Sequence, residues 1–197
     1  MASLFDTLQA NAFRAGITAR TKASREWFQK KVGELGNVNR TALLKDTALR
    51  PTSTELAGSM YMYFYDPKTK EKLPYYDRFP LVILVEDAEG GFYGLNLHYL
   101  RPDVRAKFLD ELMKLAPKKA TEKSRITKMK YDLLKGVQKY KEFKPCFKHY
   151  LTSQIKSKMV RVPMTEWEIA VFLPTEQFKK KGKAAVWAES LKIARKK

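Results

Sequence analysis

Apolar positions along this chain alternate between two spacings, and each change of spacing predicts a new element. Phe5, Leu8 and Ala12 recur at helical intervals behind a capping Ser3, which predicts a helix over residues 3–15. Phe28, Val32 and Leu35 do the same behind Thr21, over residues 21–35. Gly36 suits the left-handed position that ends such a helix. Residues 39–45 add a short helical turn, and Pro51 with the Thr/Ser cluster behind it reads as a linker.

The spacing then shortens. Residues 60–65 are an aromatic and Met run suited to a strand. Residues 79–85 are a continuous apolar strand with Pro80 near its start. Residues 92–99 alternate Leu95 and Leu97 with Asn96 and His98, and an acidic turn ending in Gly90-Gly91 precedes them. Three such strands form an antiparallel meander, which needs a layer packed on one face. Helical spacing returns over residues 102–115, through Val104, Phe108, Leu112 and Leu115. It recurs over 121–140, through Ile126, Met129, Leu133 and Val137, and after Pro145 through Phe147, Leu151 and Ile155. Residues 159–162 and 167–173 read as two more strands around a turn, and a basic helical tail starts at Thr175.

The order of elements predicts an α+β fold: a small antiparallel sheet or SH3-like half-barrel packed against several helices, with helical N- and C-terminal extensions. The division expected is a helical extension over 1–50, an α+β core over 51–174 and a basic helical tail over 175–197. That tail is expected to be removable without loss of the fold.

Charge adds what periodicity does not show. The formal net charge is +18 over 197 residues. Residues 1–113 are close to neutral, with 16 basic and 14 acidic side chains. Residues 114–161 carry 15 basic against 3 acidic, and 175–197 carry 8 against 2. Such crowding of like charge calls for a polyanionic partner, and nucleic-acid phosphate is the commonest. In 114–161 Lys outnumbers Arg 13 to 2. Lys is a point charge, whereas Arg forks onto base edges, so the bias points to backbone binding without sequence readout.

Catalytic chemistry is sparse. No phosphate-binding Gly loop, nucleophile elbow or His-Glu-x-x-His occurs. His98 and His149 read as structural imidazoles, and the lone Cys146 as a small buried residue. A metal-dependent nuclease would rest on Asp77, Glu86 and Asp87, but Glu86, Asp87 and Glu89 flank Gly90-Gly91 as a solvated turn would. No metal or cofactor is expected. No apolar run approaches bilayer length, the N-terminus does not read as a secretory signal, and the tail is a weak anchor, so no membrane role is expected. The stretch Leu73-Pro-Tyr-Tyr-Asp-Arg-Phe-Pro80 is unusual. It is either a rigid loop completing the core or a stacking platform beside a cation.

Several stretches resemble the DNA end protector proteins of T4-like tailed phages, including those of cyanophages. They are Tyr63-Phe-Tyr-Asp-Pro-Lys68, the Leu73–Pro80 stretch just quoted, and Gly91-Phe-Tyr-Gly-Leu-Asn-Leu-His-Tyr99. Arg20-Thr-Lys-Ala-Ser-Arg-Glu-Trp-Phe28 and the segment around Trp167 are also similar. The resemblance implies a non-enzymatic virion protein of the phage head or neck. It would bind the ends of packaged double-stranded DNA, shield them from host exonuclease after injection into the host cytoplasm, and aid head completion with head or neck proteins. It carries no catalytic residues over. The DNA-binding candidates come from charge: Lys123, Lys128, Lys130, Lys135 and Lys139 in 121–140; Tyr75, Tyr76 and Arg78 in the loop; and Lys179, Lys180, Lys181 and Lys183 in the tail. The alternative is a structural neck, portal or baseplate protein whose basic face docks on acidic protein partners.

Overall fold

A computed structural model describes residues 3–51, 57–114 and 144–195 of the chain. Six strands make one antiparallel sheet, in the order β1 (Arg50–Pro51), β7 (Val160–Val162), β2 (Met60–Met62), β4 (Leu81–Ala88), β5 (Gly91–Asn96) and β6 (Phe147–Leu151). Two further strands, β3 (Tyr76–Asp77) and β8 (Phe178–Lys179), pair separately. The predicted meander is the centre of the large sheet, with β2, β4 and β5 side by side. Among the described residues β1 and β6 are its two edges and do not pair with each other, so the sheet stays open and no closed barrel forms.

Alternation along the strands sorts two apolar clusters. Met60 and Met62 of β2 join Ile83 and Leu95 in the main core, while Tyr61 and Tyr63 join Val82, Leu84 and Phe92 in a second, aromatic cluster. The helices supply the rest of the main core. In α1 (Leu4–Arg14) Ser3 caps Asp6 N as predicted, and Phe5, Leu8 and Ala12 are buried. In α2 (Lys22–Gly33) Thr21 and Ser24 cap reciprocally, and Phe28 and Val32 are buried. This helix stops before Leu35, which is exposed. Asn39 caps the short α3 (Arg40–Leu43). α4 (Pro102–Lys114) buries Ala106, Phe108 and Leu109, together with Arg105.

Three predicted elements differ. The helix expected after Pro145 is the edge strand β6. Phe147, Leu151 and Ile155 fit helical spacing, but residues 147–151 fit strand alternation equally, and the open edge of β5 decides. A Cβ on Gly91 would lie 1.8 Å from the Tyr150 carbonyl oxygen, so only glycine lets the two strands approach. The strand expected over 167–173 is instead the short helix α5 (Trp167–Ala170) and a turn. Its residues 169–171 and 173 are fully buried, and an unbroken apolar run carries no period to separate strand from buried helix. The Trp167 indole donates to Val162 O at 2.8 Å, turning the chain back onto the end of β7. Finally, the tail is not helical from Thr175. It runs through β8 and becomes α6 (Lys183–Arg195) only after Gly182, with Val186 and Ser190 buried.

Candidate nucleic-acid interface

The buried carboxylate of Asp77 organises the region where the loop candidates meet the tail candidates. It accepts hydrogen bonds from Phe79 N (3.1 Å), Gln177 N (3.0 Å), Asn96 Nδ2 (3.2 Å) and His98 Nδ1 (2.7 Å). Burial alone would raise its pKa, but the His98 charge and these donors outweigh burial and hold it below the usual carboxylate value. The bond to Gln177 N draws residues 177–179 against 76–78. Tyr76 then faces Lys179, and Arg78 N donates to Gln177 O at 3.0 Å.

Around this hub, His98 Nε2 lies 3.1 Å from Thr175 Oγ1. Carboxylate, imidazole and hydroxyl thus stand in the order of a nucleophilic triad. His98 and Thr175 are both 0% exposed, so no substrate reaches the hydroxyl, and the row acts as an internal tie. His98 is a structural imidazole, as expected. A second tie lies beside it. Arg105, also 0% exposed, donates to Leu100 O (2.8 Å), Val171 O (3.2 Å) and Glu176 Oε1 (2.5 Å). Arg40 donates to the carbonyls of Thr175 and Glu176, at 2.8 Å each. The Trp187 indole of α6 donates to His98 O at 2.9 Å. Residues 175–187 are therefore bound to the core by buried polar groups.

These ties gather seven sequence candidates into one region: Tyr75, Tyr76, Arg78, Lys179, Lys180, Lys181 and Lys183. Their surroundings differ. Tyr75 is buried against Tyr99, with ring centroids 5.9 Å apart, so it completes the core rather than offering an open face. Tyr76 and Arg78 are half-buried, and Arg78 Nε is enclosed without a hydrogen-bond partner. Lys179 and Lys183 are exposed. Lys180 adopts a left-handed φ of 69° and donates to the carbonyls of Lys70 (2.7 Å), Glu71 (2.9 Å) and Leu73 (3.0 Å). It caps the turn that carries the exposed Lys68 and Lys72, so two more lysines join the patch. Lys181 pairs with Glu189 and sits 4.8 Å from the centre of the Tyr75 ring. Lys123, Lys128, Lys130, Lys135 and Lys139 lie outside the described residues.

One residue of this region escaped the sequence reading. Lys148 of β6 places its Nζ 4.3 Å from the centre of the Tyr99 ring. Burial pushes its ammonium pKa down, and the neighbouring Cys146 thiol is itself pushed up to about 12 by burial, so it stays neutral and offers no counter-charge. The signal available in sequence was the alternation of residues 147–151, which fits a strand and sets Lys148 apart from Phe147 and His149.

Among the described residues no cluster of three or more His, Cys, Asp or Glu is placed to hold a metal ion. Glu86, Asp87 and Glu89 are exposed, the first two on β4 and the third in the turn at Gly90. No described helix is long and apolar enough to cross a membrane. Neither the curated proteins nor the solved structures include a match to the chain. A family model matches over residues 1–193, and by that match the chain belongs to the phage T4 terminal DNA protecting protein family.

Proposed function

We propose that the protein binds the ends of linear packaged phage DNA, without catalysis and without reading base sequence, and shields them from host exonuclease after injection. The observation that carries this reading is membership, over residues 1–193, in a family defined by protection of terminal DNA. The lysine patch supports it. Lys179 and Lys183, with Lys68 and Lys72 on the turn that Lys180 caps, present point charges suited to phosphates. Tyr76 and Arg78 border them and would meet the terminal base pair. The lysines of 121–140 would add phosphate contacts of their own. Residence in the virion head or neck, and a contribution to head completion with neighbouring head proteins, belong to this reading.

The test is competition binding at about 150 mM salt, where exposed charges are partly screened. Linear DNA competes against the same DNA closed into a circle. Preference for the linear form, followed by protection of that form from an exonuclease, supports end binding. Equal competition moves the function to a structural role in the virion, with the basic face docked on acidic protein partners.

A further inference from the structure

Among the described residues Lys148 is a lysine of the region that is drawn in from the surface with no carboxylate opposite it. The neighbouring lysines and Arg105 have their charge answered, whereas Arg78 Nε is likewise enclosed without a partner. Arg105 has Glu176, Lys181 has Glu189 and Lys70 has Asp66. Lys180 has three carbonyls. Lys148 has the face of Tyr99 at 4.3 Å and a buried, neutral thiol nearby. A ring face compensates an ammonium only partly. A half-buried ammonium left in this state is stabilised by an anion that can reach it.

The shape of the region limits which anion that is. Tyr99 packs on Tyr75 at 5.9 Å, and Lys181 lies over Tyr75 at 4.8 Å, so Lys148 is linked through these two rings to the tail segment that carries Lys179 and Lys183. Phe178 of β8 closes on Tyr99 edge-to-face at 5.2 Å. An internal phosphodiester is flanked by sugar on both sides, and it carries one charge. A terminal phosphomonoester is tethered on one side only, projects beyond the last nucleotide, and carries about −1.5 to −2 at neutral pH. The second group can enter a recess and answer an unpaired ammonium; the first is better served by exposed lysines.

We infer that Lys148 receives the terminal phosphomonoester of a DNA end, while the exposed lysines of the β3–β8 region engage the phosphodiesters behind it. This rests on the end-binding reading above and adds the chemical feature that tells an end from an internal stretch.

The experiment compares four competitors of one sequence: linear duplex with 5′-phosphate, with 3′-phosphate, with hydroxyl at both termini, and the closed circle. The full chain is used throughout. A phosphate-bearing end should compete about tenfold better than the hydroxyl end, the scale of one charge-assisted contact. Lys148→Met should abolish that preference, and Lys148→Arg should keep it. A cooperative thermal melt of Lys148→Met with the wild-type midpoint confirms that the variant is folded. Equal competition by phosphate and hydroxyl ends in the wild-type protein overturns the inference, as does a preference that survives in Lys148→Met. If the hydroxyl-ended linear duplex still outcompetes the circle, end binding stands without this site. If all four compete equally, end binding falls with it.

Discussion

Arg105 is the residue whose loss should cost the most. Its guanidinium is fully buried, is paired with Glu176 and holds the carbonyls of Leu100 and Val171. Arg105→Ala leaves a withdrawn carboxylate and two carbonyls without donors. The expected loss is about 3–5 kcal/mol, read as a lower urea midpoint with an unchanged slope. The same buried groups set the acid limit. Asp77 and Glu176 are both held below their ordinary values of 3.8 and 4.5, because His98 and Arg105 outweigh the effect of burial. A depressed carboxylate contributes stability above its unfolded pKa and loses it as pH falls through its folded value. The melting temperature should therefore hold from neutral pH down to about 5 and fall steeply below about 4. In Asp77→Asn that acid-induced drop should be smaller, because the variant has lost the contribution at every pH.

At the scale of elements, the packing of β5 against β6 on one side and β4 on the other depends on two glycines. Gly91→Ala drives a Cβ into the Tyr150 carbonyl, and Gly94→Ala drives one to 2.3 Å from Val82 Cγ1. Each should destabilise by about 1–3 kcal/mol or more. Gly91→Ala should also raise amide exchange across residues 147–151, because the obstacle is backbone that cannot rotate away. The tail gives the second prediction. Removal of residues 175–197 deletes Thr175, Glu176, strand β8 and the buried Val186 together. It strands Asp77, His98 and Arg105 with unmet polar groups. Truncation after Pro174 is therefore expected to abolish cooperative thermal unfolding, a result that circular dichroism decides. The sequence-level expectation was the opposite, because charge marks 175–197 as an appendage whereas the buried contacts bind it to the core.

For the molecule as a whole, the charge imbalance sets the binding physics. If roughly 6–10 phosphates are engaged, affinity should fall about 10³–10⁵-fold between 50 and 200 mM salt. Lys179→Ala and Lys183→Ala should each lower the slope of log affinity against log salt by about one unit. Lys180→Met should behave differently. Its Nζ is occupied by three carbonyls, so its loss releases the turn carrying Lys68 and Lys72 and weakens binding through them. Isothermal titration at four salt concentrations separates the two patterns.

The sequence by itself determined the elements whose signals are local. The caps at Ser3 and Thr21, the meander of β2, β4 and β5, and the excess of lysine all follow from residues within a few positions of one another. It also determined the family, because the motifs over residues 63–99 are specific as strings. Tertiary structure decided whatever depended on a partner far along the chain. Residues 147–151 became a strand because Gly91 lets them approach the open edge of β5. Residues 167–170 became a helix because an unbroken apolar run has no period of its own. Tyr76 met Lys179, and His98 met Thr175, because the buried Asp77 carboxylate had to find donors about a hundred residues away. Lys148 entered the candidate site the same way: a strand pairing brought it to Tyr99, and no local pattern marks a lysine for want of a counter-charge.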